Sequence, residues 1–501
     1  MTTNSRESAV YFFRSTKYQI NRMPLPISLD KNRSHIEKCL ISRSATLAQL
    51  VGKTVVFVSP GYPGKKFVFE KAHELGINSI VIDSPGSWTR ALEQAGIVTR
   101  VLEVDMTAAE DRMVEQCLDR LSQCGRIDGI CTFVELSAPL TARLCNHYGA
   151  EGHSISAVTL ARDKHLTRKA VSSTRSTAKY ASRNFLIKMG TVAELMEAAE
   201  QVGFPAVLKP VSGAASLGVQ KVSSMKELLS TYEIVRNLVS ELVVSSGALE
   251  RKVKMIDEVK SAIEDSSNCA SLSNTAIILE EYISGQEVDI DVVMYEREIT
   301  FAEVSDNGPT VEPYFGETYN CCPSLLPSHD QAELIEMARS IICDALGFNS
   351  GVFHIEGKLS PNGPRLIEVN CRMGGGPIRS VHLTRSKVDL VVEQILIAVG
   401  LPAFPPALPE DQKPAIGFVD VNASRSGSVK SLDFMKSFVN SPGMVYCIPY
   451  VSVGQHIVGP EEGQPSWLAE AVFTRNTPLE ASKDAHAMYL EMQQVFEAHY
   501  V

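Results

Sequence analysis

The run from Gly351 to Arg372 constrains this chain more than any other. It reads GVFHIEGKLS, then Pro361-Asn362-Gly363-Pro364, then RLIEVNCR. Turn chemistry of this kind between two β-leaning runs predicts a hairpin. Side chains alternate across a strand, so His354, Glu356 and Lys358 share one face of the first strand. Glu368, Asn370 and Arg372 share one face of the second, while Ile367, Val369 and Cys371 are expected to point the other way, into an apolar layer. Pairing would set Glu356 beside Glu368 and Asn370. Two carboxylates and an amide oxygen crowded together repel unless a cation sits between them, and hard oxygen ligands suit Mg²⁺. Arg372 keeps its charge and can fork onto phosphate or carboxylate oxygens. An ordinary hairpin with a solvated polar face is the plain alternative.

Two upstream segments count against that alternative. Phe204-Pro-Ala-Val-Leu-Lys-Pro210 reads as a short buried strand ending in Lys209, a point charge suited to a phosphate chain. The loop that follows, Val211 to Val219, contains Ser216 and Gly218 and is small enough to lay backbone N–H groups on phosphate. By itself it reads equally well as a plain flexible loop. Further on, Ala276 to Val293 is strand, Gly-containing bend, strand, with Glu280, Glu281 and Glu287 flanking the bend.

Lys164, Lys209, the Ser/Gly loop, Glu280 to Glu287, Glu356 and Glu368/Asn370/Arg372 stand in the order found in ATP-grasp ligases, and the likeness spans roughly residues 160 to 400. The resemblance implies two α+β subdomains that clamp ATP. It implies Lys164 and Lys209 on the phosphates, Glu280 and the backbone at Glu281 and Ile283 at the adenine edge, and Glu287 on the ribose hydroxyls. Glu356, Glu368 and Asn370 would carry Mg²⁺, with Mn²⁺ as a substitute. A narrower likeness lies in Val304-Ser-Asp-Asn-Gly-Pro-Thr310, Phe315-Gly-Glu-Thr318 and Pro323-Ser-Leu-Leu-Pro327, which resemble the central segment of the carnosine synthases. That family joins β-alanine to L-histidine, and vertebrate members are considerably longer, so the chain would correspond to their catalytic C-terminal part. Carried over, Glu317 would bind a substrate ammonium, with Asn320 nearby and Arg372 at the reacting carboxylate. Other ATP-grasp chemistry (a carboxylase or a ligase with another substrate pair) and a catalytically silent ATP-binding regulator are the competing readings.

The expected reaction follows from the residues. A carboxylate is a poor acylating agent until its oxygen is phosphorylated, after which an amine can displace phosphate. Arg372 would steady the charge on the acyl phosphate and on the oxyanion formed by amine attack. The loop from Ser212 to Gly218 would close as a lid against water. No residue identifies itself as the base for the amine. His354, beside carboxylates, reads first as a hydrogen-bonded structural partner.

The resemblance implies small-molecule amino acids as partners and leaves homo-oligomerisation open. Forty-eight basic against 58 acidic side chains give a net charge of −10, which argues against nucleic acid or an anionic membrane surface. No apolar run reaches about 18 residues, the start lacks the layout of a secretory signal, and the 11 cysteines show no CxxC spacing. A cytoplasmic enzyme with reduced core thiols is expected. The fold class expected is α/β and α+β in four parts. An N-terminal extension (1–50) precedes a Rossmann-like domain (51–158), where strand–helix–strand units repeat from Val55 to Val134. A two-subdomain ATP-grasp fold (159–400) follows, with a nucleotide lid at about 205–280 and a metal core at about 281–400. A small C-terminal α+β cap (401–501) begins at a Pro-rich boundary. Gly61-Tyr-Pro-Gly-Lys-Lys66 misses the Walker spacing and reads as a tight strand–helix turn expected to line the substrate cleft.

Overall fold

Val55 to Val58 and Ser79 to Asp83 are buried throughout, which is what a strand covered on both faces requires. The computed structural model describes residues 43–213, 216–245, 248–251, 276–406, 408–460 and 465–499, the side chains of 240–251 excepted. The 1–42 part of the extension, residues 214 and 215 of the expected lid loop, and 252–275 lie outside the described residues. Strands β1 (Thr54–Val58), β2 (Asn78–Asp83), β3 (Arg100–Glu103) and β4 (Gly129–Cys131) form a parallel sheet in the order β3-β2-β1-β4. The Gly61–Lys66 segment is a turn running into helix α1 (Lys66–Glu74).

A second sheet is antiparallel, in the order β5-β8-β6-β7, from β5 (Asn184–Ile187), β6 (Ala206–Pro210), β7 (Gln220–Val222) and β8 (Ile277–Glu281). Helices Val192–Val202 and Met225–Glu241 contribute Leu195, Ala198, Leu228 and Val235 to its core. After β8 the chain bends at Gly285 and enters the largest sheet. A Cβ at Gly285 would meet the carbonyl oxygen of Leu359 at 2.1 Å, so glycine alone lets the bend lie against the 351–370 hairpin.

That largest sheet has eight antiparallel strands in the order β13-β12-β9-β10-β11-β14-β16-β15. They are β9 (Gln286–Tyr295), β10 (Glu298–Asn307), β11 (Tyr319–Cys322), β12 (Gly351–Ser360), β13 (Gly363–Asn370), β14 (Ala415–Asn422), β15 (Met444–Pro449) and β16 (Trp467–Arg475). The expected C-terminal strands and helix are present, but β14, β15 and β16 extend the same sheet that holds the 351–370 hairpin. The Pro-rich stretch near 402–414 is therefore a boundary in sequence and not in the sheet. Helix α2 (Pro478–Ala498) starts with a capping box of Thr477 and Glu480. It brings Ala485, Met492 and Phe496 into an apolar cluster with Val419 and Phe473. Helix Leu390–Ala398 is buried along its whole length between the parallel sheet and the large sheet.

The 351–372 hairpin pairs as its sequence predicts, with Glu356 opposite Glu368 and His354 opposite Asn370. One expectation is corrected. Gly357 opposes Leu366, so Ile367 is an extra residue in the ladder. Ile367 is half-buried and faces the cleft, while Val369 and Cys371 join the apolar core as expected. A β-bulge re-aims a side chain in this way.

Arg168, on the helix Lys164–Ser173, ties the two antiparallel sheets together. Its guanidinium lies 2.7 Å from Glu280 on β8 and donates to the carbonyl of bulged Ile367 on β13, with 1% of its surface exposed. Breaking a buried ion pair from one side costs about 3–5 kcal/mol. Arg168→Met should therefore lower the thermal midpoint sharply. A midpoint within 1–2 °C of the original chain, where a ΔΔG of 1 kcal/mol already moves small domains by about 2–8 °C, would show that the bridge carries little.

Candidate active site

The two antiparallel sheets enclose a cleft of about 1040 Å³, mouth included. Its lining includes Lys164, Lys209, Ser216, Glu280, Glu281, Ile283, Glu287, Glu317, Glu356 and Glu368, ten of the residues singled out from sequence. Gly218 sits in the same loop with φ +77°. Asn370, Arg372 and Asn320 lie just beyond the lining.

Strand registry explains the grouping. Partners directly opposite in antiparallel strands share a face, and one face can be followed from Glu368 to Glu356, Asp289 and Ser305 across β13, β12, β9 and β10. Two residues along β10, Asn307 faces Asn320, which faces Phe418. Two residues along β14, Asp420 faces Glu470. Asn320 is thus on the cleft face, buried between the two halves.

At the hairpin, like charges crowd. Burial, then Glu368 and Asp289, push the Glu356 carboxyl up to about 8. Burial would raise Glu368 too, but Lys164, 2.8 Å from its Oε1, holds it below the usual range. Asn370 donates from Nδ2 to Glu356 (3.3 Å) and accepts from Arg372 at Oδ1 (3.1 Å). Glu356, Glu368 and the Asn370 amide oxygen form an all-oxygen donor set, and a divalent cation would relieve the repulsion that raises Glu356. The residues fit Mg²⁺.

Lys209 forms an ion pair with Glu280, which Arg168 holds from the other side. Burial opposes the charge on Glu280, yet Arg168 and Lys209 bring its carboxyl down to about 2. Glu280 is accordingly engaged by two cations, which positions Lys209 at the cleft wall. The Glu281 carboxylate binds Arg183 (2.8 Å), and its backbone N–H donates to Arg183 O. Glu287 pairs with Lys358 at 3.1 Å. His354 donates from Nδ1 to Asp291 (2.9 Å), and although burial opposes its charge, Asp291 and Asp289 raise it to about 10. That anchored imidazole is a structural partner of β9, in line with the reading from sequence.

Sequence reasoning missed four contributors. Asp289 and Asp291 alternate with Glu287 in Glu-Val-Asp-Ile-Asp, a signal that was visible. Glu135 lies 3.3 Å from the Nε of Arg372 and 3.3 Å from Arg162, reaching in from the parallel domain. Lys65, from the 61–66 turn, donates to Phe133 O, and burial beside Arg372 lowers it to about 7. Such contacts have no local sequence signature.

A twin-sheet clamp around a basic and acidic cleft, preceded by a parallel domain, defines the ATP-grasp class. The sequence agrees: residues 242–380 match the ATP-grasp domain and 69–149 the ATP-grasp N-terminal domain. The chain is an ATP-grasp protein. Among curated proteins it is similar to carnosine synthase 1 of Gallus gallus, 31% identical over 387 residues, covering 76% of this chain and 39% of that protein. It is also similar to alanine–anticapsin ligase of Bacillus subtilis (strain 168), 26% identical over 274 residues, 54% of this chain and 53% of that one. The chain thus spans about two fifths of the carnosine synthase it matches. Among solved structures, the L-amino acid ligase from Bacillus licheniformis superposes with a TM-score of 0.66 at 18% identity, covering 89% of this chain and 98% of that one. Among the described residues, no helix is long and apolar enough to cross a membrane.

Proposed function

We propose that this chain is an ATP-dependent carboxylate–amine ligase that joins two amino acids, of the carnosine synthase type: β-alanine, L-histidine and ATP give carnosine, ADP and phosphate. The observation that carries the reading is the cross-paired Glu356 and Glu368, with Arg372 at the end of their row and Lys164 and Lys209 on the same cleft. Similarity to two kinds of ligase that act on amino acids supports it.

In this reading Lys209 and Lys164 hold the nucleotide phosphates, the 211–219 loop covers them, and the backbone at Glu281 and Ile283 meets the adenine. Glu287 takes the ribose hydroxyls. Glu356, Glu368 and Asn370 would hold Mg²⁺, which when bound offsets charge on the phosphate oxygens. The γ-phosphoryl group passes to a carboxylate oxygen of the first amino acid, and ADP departs. Arg372, steadied by Glu135 and Asn370, binds the acyl phosphate and the oxyanion formed when the second amino acid's amine attacks. Phosphate then leaves with the original carboxylate oxygen. Glu317 receives an ammonium that does not react.

An ATP-consumption screen over pairs of amino acids, with product masses measured, tests the reading. ¹⁸O in the β-alanine carboxylate should appear in released phosphate, and label in the histidine carboxylate should not. Label from neither would exclude an acyl phosphate. Lys209→Ala removes a charged hydrogen bond worth about 1.5–3 kcal/mol, so ATP should bind roughly 10- to 150-fold more weakly. An unchanged Kd by calorimetry would remove Lys209 from the phosphate site.

A further inference from the structure

The cleft face ends in a second group of acids that the metal and phosphate sites do not use. Asp420 on β14 lies directly opposite Glu470 on β16, and its N–H donates to Thr318 O (2.9 Å), next to Glu317. Asp420 is 3% exposed and Glu470 2%. Glu470 is satisfied, accepting from the hydroxyls of Tyr446 (2.5 Å) and Tyr450 (2.9 Å). Asp420 is not. Its Oδ2 is fully buried without a hydrogen-bond partner.

The charged groups that bear on Asp420 are all acids: Glu317, Glu470 and Asp289. Burial, then Glu317, holds its carboxyl well above the usual range. Glu317 itself projects into open space in the cleft yet is hemmed in by protein, and burial with Asp289 brings it up to about 7. Buried carboxylates are normally paired or hydrogen-bonded because leaving one bare is costly. Here one oxygen of Asp420 has no partner, and a compact cation supplied from the cleft would satisfy it and offset the like charge of Glu317 and Glu470.

Charge logic says which cation. The amine that attacks must be neutral, and three carboxylates around it would hold it protonated. The group they suit is the ammonium that stays charged throughout, on the amino acid whose carboxylate is activated.

We propose that Asp420, together with Glu317 and Glu470, binds the non-reacting ammonium of the carboxylate-donating amino acid and so selects amino acids over plain carboxylic acids. This rests on the ligase reading above.

The test uses the full chain and Asp420→Asn, which keeps shape and removes charge. Probes are β-alanine, L-alanine and glycine, each compared with its deaminated counterpart, propionate or acetate. The original chain should turn over an amino acid in preference to its counterpart. In D420N the KM for that amino acid should rise at least about tenfold, kcat should change less, and the preference over the counterpart should shrink. The ligand-free variant should melt no lower than the original, since an unpaired acid has been neutralised. Glu470→Gln, whose amide can accept from one tyrosine hydroxyl and donate to the oxygen of the other, should move KM in the same direction. A KM within twofold of the original in both variants, or a lower melting point with KM unchanged, overturns the assignment of Asp420. If the original chain neither turns over nor is stabilised by any of the three amino acids, the ligase reading falls and this inference with it.

Discussion

Glu368→Gln should abolish most turnover while leaving the chain folded. Groups that merely support a metal ligand cost 10- to 100-fold when removed, so loss of a ligand should cost about 100-fold or more. The variant keeps the volume of the side chain and removes one of two facing charges. Glu356, raised to about 8 by burial and by Glu368, should then titrate lower, because its strongest like-charge neighbour is gone. Lys164 loses its 2.8 Å partner, which separates two explanations. If Glu368 serves only to place Lys164, Lys164→Met should mimic the defect and the Mg²⁺ dependence should stay put. If Glu368 binds metal, the variant should need more Mg²⁺ and Mn²⁺ should restore part of the rate. Near-full turnover of Glu368→Gln at saturating Mg²⁺ would end the metal assignment.

Arg372 and Glu317 should fail in different ways. Arg372 lies beyond Asn370 on the hairpin face and is oriented by Asn370 Oδ1 (3.1 Å), Met373 O (2.8 Å) and Glu135 (3.3 Å). A donor aimed at charge that develops during reaction contributes mainly to the transition state, and removing one costs about 10²–10³ in kcat. Arg372→Met should show that loss with little change in KM. Glu135→Gln, which leaves the guanidinium in place but loosens it, should give a smaller loss of the same kind. In the proposed ligase, Glu317 meets a charge already present in the ground state. Glu317→Gln should therefore raise KM for one amino acid roughly 10- to 150-fold and leave ATP binding alone. If it weakens ATP and spares both amino acids, the substrate pocket has been placed at the wrong end of the cleft.

The hairpin was legible because turn chemistry and period-2 alternation act over a few residues. Those rules set Glu356 beside Glu368 and Asn370. The strand ending at Lys209 was legible for the same reason. Ile367 was not, because a bulge depends on how two strands settle against their neighbours, here with Arg168 capturing the Ile367 carbonyl. Glu280 looked like a nucleotide contact on likeness alone, and its capture by Lys209 and Arg168 depends on side chains 71 and 112 positions away. Glu135, Asp420 and Glu470 were silent in sequence, since each matters only through partners brought in by another domain or by a distant strand. The C-terminal strands were visible as strands. That they join the hairpin's own sheet was not, because edge pairing leaves no trace in local patterning.

That shared sheet bears on how such a chain can be recombined. The hairpin at one edge and the Asp420–Glu470 pair near the other are separate stretches of gene, so an exchange of residues 415–475 with a relative could trade one clientele for another and leave the phosphoryl machinery untouched. The graft succeeds only if the incoming strand keeps Phe418 opposite Asn320. A slip of one residue would carry both acids through to the opposite side, beneath helix α2, and the hybrid would fold around a pocket that keeps only Glu317 of the three acids proposed to select the substrate.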